Sequence, residues 1–309
     1  MSLELLIEQG INGLQLGLTL YLLAAGITLI FGVMGILNLA HGSMYMVGAY
    51  AAASIATFTQ SFPAAVLGGA LVASLFGLLL ERLIIRRLYQ REHLDQVLAT
   101  FGVLLFTNEA VAILFGRSPL FMQVPSWAAG HIEILPGLPY PQYRLLIMSA
   151  AVLISFLLWQ LIARSKIGMQ VRAGATHREM VDALGVNIGK LYTIVFGVGA
   201  LLCGVAGALI GPLRSVQIGM GEDVLILTFV VIVIGGIGSL QGAFAGAMLV
   251  GLIDTLSRAM LGPMITTAFA GSTGAAFAAG LSSIMVYLAM ILVLLIRPSG
   301  LFPATGMRS

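Results

Sequence analysis

Asn38, His41, Ser43 and Tyr45 stand together in an otherwise apolar run, Gly32–Tyr50. A polar side chain at membrane depth is costly unless paired, so such a cluster marks either a structural device or a passage for polar solutes. Asn38 has the chemistry to N-cap a helix that begins just after it, by accepting from freed backbone amides. His41, one turn later, would lie beside that cap. Two uses stay open. One is stabilisation of the helix start at the cytoplasmic face, the commoner use of such residues; the other is a role in a transport path. Asn38, His41, Gly42 and Tyr45 are therefore path or hinge candidates. So are Gly235, Gly236, Gly238 and Ser239, where closely spaced glycines interrupt a long apolar run. Glu109, beside Asn108 within an apolar stretch, is a functional candidate by default. Asp254 and Arg258 are four residues apart and can pair on one helix face; near an outer helix end, a structural ion pair is the simpler reading.

The chemistry that is missing narrows the function. The sequence has no GxxxxGK[ST] loop for nucleotide phosphates, no HExxH, no CxxC and no nucleophile elbow. It has no basic patch interleaved with aromatics, so no nucleic-acid partner is expected. Nor do His, Asp and Cys cluster as metal or nucleophilic catalysis requires. The expectation is a protein that is not an enzyme and binds no cofactor. If it moves a solute uphill, another subunit or an ion gradient must drive it.

The elements that position these residues follow from composition. Charged residues make up 9% of the 309 and hydrophobic ones 59%, against roughly a quarter charged in a soluble domain. No Asp, Glu, Lys or Arg occurs between Gln9 and Leu80, nor in Leu145–Ala163, Leu191–Leu213, Val224–Ile253 or Ala259–Ile296. A membrane-crossing helix needs roughly 20 apolar residues, and backbone groups in lipid must be satisfied within the segment. The pattern predicts an all-α, polytopic transmembrane helix bundle. Its eight or nine spans lie near 10–34, 39–59, 63–84, 95–116, 143–163, 189–212, 224–236, 241–260 and 277–296, and form a single transmembrane domain over 1–309. As one helix, 224–260 would be about 55 Å long, so the glycines at 235–242 are read as a break, with 224–236 a discontinuous half-helix. The 38 glycines suit close helix packing in lipid, as at Gly204–Gly207 and Gly242–Gly246. The acidic start, Glu4 and Glu8, does not resemble a signal peptide. The single cysteine, Cys203, rules out a disulfide within the chain.

Basic residues gather in three places: Arg82, Arg86, Arg87 and Arg91; Arg164, Lys166, Arg172, Arg178 and Lys190; and Arg297 with Arg308. The positive-inside rule places all three in the cytoplasm. The C-terminus is then cytoplasmic, while the N-terminus, the proline-rich loop 117–142 and residues 214–223 are outside. The cytoplasmic segment 164–190 holds a short predicted helix, about His177–Leu184. Thr176 and Glu179 have capping-box spacing before it, and Gly185 suits the C′ position after it. Met180, Val181, Ala183 and Leu184 give it an apolar side. Two turns of helix are not stable alone in water, so a partner surface is expected, a cytoplasmic one explaining the capped, exposed construction. The outer loop either touches a partner or closes over the helices.

Four ordered stretches now carry a resemblance. Gly32–Tyr50, with its Asn-Leu-Ala-His-Gly core, closely resembles the opening signature of branched-chain amino-acid (LIV-type) ABC transporter permeases. The likeness continues through Gly168–Ile188, through Gly235-Gly-Ile-Gly-Ser-Leu-Gln-Gly-Ala with Gly246 and Gly251, and in Arg297-Pro-Ser-Gly-Leu-Phe. The resemblance implies a second, related permease subunit, two cytoplasmic ABC ATPase subunits that use ATP, an extracytoplasmic substrate-binding protein, and residence in the bacterial inner membrane. It also implies that helix 177–184 is the coupling helix seated in an ATPase groove, with Arg172, Thr176, Glu179, Met180, Ala183, Leu184 and Gly185 in the coupling segment. The chain departs from the pattern at 262–279, which is longer and richer in Gly, Ala and Thr, and at Asp254, where Glu is usual. Relatives with the same signatures import urea, short amides or aromatic acids, so those substrates stay open. An ion-coupled secondary transporter is the alternative of another class, and only Glu109 offers it an intramembrane carboxylate. The orientation is checked by labelling. In a Cys203→Ala background, Ser126→Cys is expected to react with an impermeant maleimide in spheroplasts, and Glu179→Cys only after permeabilisation; the reverse pattern inverts the topology.

Overall fold

The computed structural model describes residues 3–268 and 272–302. Residues 269–271 of the Gly/Ala/Thr-rich region, and Arg308 of the last basic cluster, lie outside the described residues.

The first half of the chain forms α1 (Leu3–Met34), α2 (His41–Thr59), α3 (Phe62–Leu80), a π-helical turn (Glu81–Ile85), α4 (Arg86–Leu88) and α5 (His93–Phe115). A hairpin, β1 (His131–Leu135) and β2 (Leu138–Pro141), precedes α6 (Gln142–Arg164). Then come α7 (Lys166–Thr176), α8 (Arg178–Ala183), α9 (Ile188–Ile210), α10 (Met220–Gly235), α11 (Leu240–Ala268) and α12 (Ser272–Ile296). Each stretch predicted as a span falls on a helix, including both sides of the break at 235–242. Six helices among the described residues are long and apolar enough to cross a membrane: Leu3–Met34, Phe62–Leu88, His93–Phe115, Gln142–Arg164, Ile188–Ile210 and Leu240–Ile265. Helix α10, with 16 residues, is shorter than the roughly 20 that a perpendicular crossing takes.

The fold is not wholly helical. Loop 117–142 contains an antiparallel two-stranded sheet pairing Ile132 with Tyr140 and Leu135 with Leu138, with a register irregularity between Glu133 and Leu135. Prolines kept α-helix out of this loop, which holds only a 3-10 turn at Ser126–Ala128, but did not prevent strands. A strand in a two-stranded sheet has one free edge, where a residue without N–H is tolerated, and β2 carries both Pro139 and Pro141.

Internal contacts divide the chain into two compact units, Ala25–Ser126 with Leu153–Ile226, and Met1–Ala24 with Trp127–Val152 and Leu227–Ser309. In the first, α2, α3 and α9 pack on one another. Helix α3 shows how. Leu67, Leu71, Leu75 and Leu79 are 66, 58, 65 and 55% exposed, while Ala65, Ala70, Ala73 and Gly77 are buried. Large apolar side chains face out and small ones face in, reversing the soluble pattern, because hydrocarbon gives no reason to hide leucine and small residues let backbones approach. A Cβ on Gly69 would stand 2.6 Å from the Gly48 carbonyl oxygen, and one on Gly204 2.5 Å from the Ala73 methyl. A Cβ on Gly48 would run into the Gly204 backbone, and one on Gly207 into the Tyr45 carbonyl. In the second unit, Gly13 and Gly17 of α1 meet Gly251 and Ala247 of α11 in the same manner, at 3.0 and 2.8 Å to the carbonyl oxygens. Edge-to-face packing of Tyr21 and Phe244 joins the same two helices.

Gly48→Ala is expected to lower the thermal stability of the detergent-purified protein by about 1–3 kcal/mol, the usual cost of overpacking. Gly102→Ala on α5, with nothing within 4 Å of the new methyl, is expected to be neutral or slightly stabilising, as alanine is the better helix former.

Candidate functional site

The polar cluster before and within α2 is brought together and buried. Asn38, His41, Ser43 and Tyr45 are all at most 2% exposed. Helix α2 begins at His41, with Ala40 rather than Asn38 at the cap position and no side-chain cap bond there. The expectation that Asn38 caps the helix is corrected. Its Oδ1 accepts from the Ala40 amide two residues on, at 3.0 Å, a short-range turn that asparagine favours because its side chain reaches its own i+2 backbone. The Leu39 amide donates instead to Thr100 Oγ1 of α5, at 3.2 Å. His41 is the first residue of the helix, with Nε2 at 2.8 Å from Cys203 Sγ of α9. Glycines make room for this. A Cβ on Gly26 would stand 2.8 Å from His41 Nε2, and one on Gly42 2.5 Å from the Gly221 carbonyl oxygen. Asn38 Nδ2 and Ser43 Oγ, both buried, have no hydrogen-bond partner among the described residues.

The glycine break has a different partner. Helix α10 ends at Gly235, Gly236 and Gly238 take φ of +108° and +81°, and Ser239 Oγ accepts from the Gly242 amide at 3.1 Å to start α11. The carbonyls of Ile234 and Gly235 accept from the amides of Leu301 and Phe302, each at 2.9 Å. The C-terminal Pro-Ser-Gly-Leu-Phe stretch thus satisfies backbone groups that the break sets free. A Cβ on Gly236 would stand 2.7 Å from the Phe302 carbonyl oxygen, so glycine is required there by conformation and by space.

The predicted cytoplasmic helix is α8, a residue shorter at each end. Gly185, at φ +84°, closes it: the Gly185 amide donates to Asp182 at 2.9 Å and the Val186 amide to Val181 at 3.3 Å, the Schellman arrangement. The capping box is not formed. Thr176 ends α7 and its hydroxyl donates to the Arg172 carbonyl at 3.0 Å, while His177 takes the cap position without a side-chain bond. The preceding helix, α7, claims Thr176 because its own start is well capped: Ser165 Oγ accepts from the Gly168 amide at 2.9 Å. Arg172 donates to the Ile162 carbonyl. Val181 is 6% exposed, whereas Met180 and Leu184 are 60 and 77% exposed. The apolar side is therefore split, with Val181 anchoring the helix and Met180, Leu184 and the exposed Ala183 and Glu179 facing away.

Of the ionisable candidates, Glu109 pairs with Arg117 at 2.8 Å, both well exposed, which makes it a surface pair of little energetic weight. Asp254 and Arg258 form the expected pair, Oδ1 to Nη2 2.8 Å. The sequence reading missed Glu81, which is fully buried at the π-helical turn. It accepts from Tyr89 Oη at 2.6 Å, from Thr193 Oγ1 of α9 at 2.9 Å and from Arg86 Nε at 3.2 Å. Burial, and then the Glu81 carboxylate, raise the Tyr89 phenol above its ordinary range, which keeps it a donor. A signal existed: Glu81 is the lone acid leading a run of arginines. It ties the end of α3 to the start of α9, the helix that follows α8.

The six helices among the described residues that are long and apolar enough to cross a membrane define a multi-pass helical membrane protein. The chain matches the family model described as branched-chain amino acid transport system / permease component over residues 10–294, and it belongs to that family. It is 29% identical over 309 residues to the high-affinity branched-chain amino acid transport system permease protein BraD of Pseudomonas aeruginosa, covering 96% of this chain and 95% of the relative. It is 28% identical over 310 residues to LivH of Escherichia coli K12, covering 96 and 94%. It is 25% identical over 296 residues to the probable LivH of Methanocaldococcus jannaschii, covering 91 and 88%. It is thus a transport permease with membrane-spanning helices.

Glu81→Ala takes the acceptor from the half-buried Tyr89 hydroxyl and leaves a cavity at a fully buried position, and is expected to cost about 1–3 kcal/mol in the unfolding of the purified protein. Glu81→Gln, which still accepts from Tyr89, is expected to cost less; equal losses would mean that the charge rather than the hydrogen bonds holds the joint.

Proposed function

We propose that this chain is the membrane-spanning permease of an ABC importer for branched-chain or related hydrophobic amino acids. It forms the translocation path with a second permease subunit. Two cytoplasmic ATPases drive the pair with ATP, which this chain does not itself bind, and an extracytoplasmic binding protein delivers the substrate. Helix α8 is the coupling helix. Closure of the ATPases moves it, and the Glu81 joint between α3 and α9 passes that movement into the transmembrane helices.

One observation carries the coupling assignment. Helix α8 is only six residues long, yet it is fixed by the buried Val181 and a glycine-terminated end while two large apolar side chains stay uncovered. A helix this short holds its shape only through packing, and apolar side chains held out from a rigid base suit insertion into a partner's groove. The permease role is supported by family membership and by full-length likeness to proteins named for branched-chain amino acid transport. Ion-coupled transport gains no support, since Glu109 is an exposed partner of Arg117.

The test is copurification. The wild-type chain is expected to retain ATPase subunits through affinity capture. Met180→Asp with Leu184→Asp is expected to abolish that retention and ATP-dependent uptake while membrane insertion persists. Retention at wild-type level in the double variant would refute α8 as the coupling helix.

A further inference from the structure

Arg214 and Asp223 line one cavity of about 240 Å³ together with Tyr45, Gln217, Met220 and Val224. Neither charged side chain has an ion-pair or hydrogen-bond partner among the described residues. An acid in the first turn of α10 is favoured by the helix dipole alone. Both charges are solvent-exposed, so water can serve them; what distinguishes the cavity is that opposite charges and two apolar side chains line the same small space. The volume lies below the roughly 300–1,000 Å³ of drug-sized pockets, which limits the occupant to a small solute. Tyr45, a path candidate, lines it, and its helix starts beside Cys203 within α9 rather than at the cytoplasmic face that the sequence suggested. In the orientation set by the basic clusters, residues 214–223 face outside, where solute arrives.

We infer that this cavity is an extracytoplasmic reception site for a zwitterionic α-amino acid, with Arg214 on the carboxylate, Asp223 on the ammonium group, and Met220 and Val224 beside an aliphatic side chain. A guanidinium fork matches a carboxylate in two parallel hydrogen bonds, and a carboxylate accepts from an ammonium group. A neutral amide or urea offers a carbonyl oxygen to Arg214 and an N–H to Asp223 but no opposite charge to either, which makes the weaker contact, and a simple carboxylic acid satisfies only Arg214. This inference rests on the importer reading above and narrows its substrate class.

The experiment uses the assembled importer in proteoliposomes, with initial rates of ATP-dependent uptake of tritiated L-leucine delivered by the binding protein. Arg214→Gln and Asp223→Asn are each expected to lower uptake about tenfold or more, the loss of one charge-assisted contact. Asp223→Glu should keep most of it, and Arg214→Lys, which keeps the charge but not the fork, should fall between wild type and Arg214→Gln. ATPase copurification should be unchanged in all four, which separates a lost site from a misfolded chain. In saturation-transfer NMR on the permease–ATPase complex without binding protein, L-leucine is expected to give a signal. Isovalerate and isopentylamine should give weaker ones, urea none, and Arg214→Gln should abolish the leucine signal. Wild-type leucine uptake in both neutral variants overturns the cavity assignment and leaves the importer reading intact. Uptake of urea but not leucine by the wild-type assembly overturns the amino-acid reading, and this inference with it.

Discussion

Close approach of helix backbones at glycine and alanine is the constraint on which both units of this molecule depend. In hydrocarbon a leucine gains nothing by leaving the surface, so helices associate through van der Waals contact and the few polar groups that reach across. The α2–α3–α9 core has Gly48 on Gly204, Gly69 on the Gly48 carbonyl and Gly207 on the Tyr45 carbonyl. The α1–α11 contact repeats the device with Gly13, Gly17, Ala247 and Gly251. Where large side chains would keep the axes apart, these residues bring whole helices close enough for His41 to reach Cys203 and for Ser74 to donate to the Gly197 carbonyl.

That proximity makes buried polar groups affordable. In an apolar solvent an unpaired amide, hydroxyl or carboxylate carries its full desolvation cost, so each must find a partner inside the protein or remain available for a solute. Glu81 is the satisfied extreme, with Arg86, Tyr89 and Thr193 around it. The break between α10 and α11 is another: glycines free two carbonyls, and the C-terminal stretch returns to take them. Asn38 and Ser43, each with a polar atom left unpaired, stand at the other extreme, beside Tyr45 and its cavity.

The coupling segment follows a third logic. Chain between two long helices is held as two short ones, α7 and α8, by Ser165 at one end and Gly185 at the other, with Asn187 Oδ1 accepting from the Lys190 amide to start α9. Rigidity there matters because a push on α8 is transmitted only if the segment does not bend. Val181 faces inward to hold it and Met180 and Leu184 face outward, so one amphipathic turn both anchors and presents.

The sequence by itself determined the helices. Uncharged runs of the length a bilayer demands can do little else, and the glycines at 235–242 located the break because closely spaced glycines weaken a helix and allow positive φ, as at Gly236 and Gly238. The terminal cap at Gly185 and the Asp254–Arg258 pair were equally legible, since both are local in the chain. The capping box was misread for a local reason too: Thr176 has two possible backbone partners, and the preceding helix, invisible in an unremarkable run of residues, took it. What only tertiary structure decided is everything that depends on residues far apart in sequence. Glu81 is unexceptional until Thr193 is brought beside it. The terminal Leu301 and Phe302 gain their meaning only on the break at Gly235, and Tyr45 lies more than a hundred residues from the Arg214 that shares its cavity. Periodicity and composition describe how one segment meets its solvent; which segments then meet each other is fixed by the three-dimensional fit of small side chains, a property of pairs of surfaces that no single stretch of the chain contains.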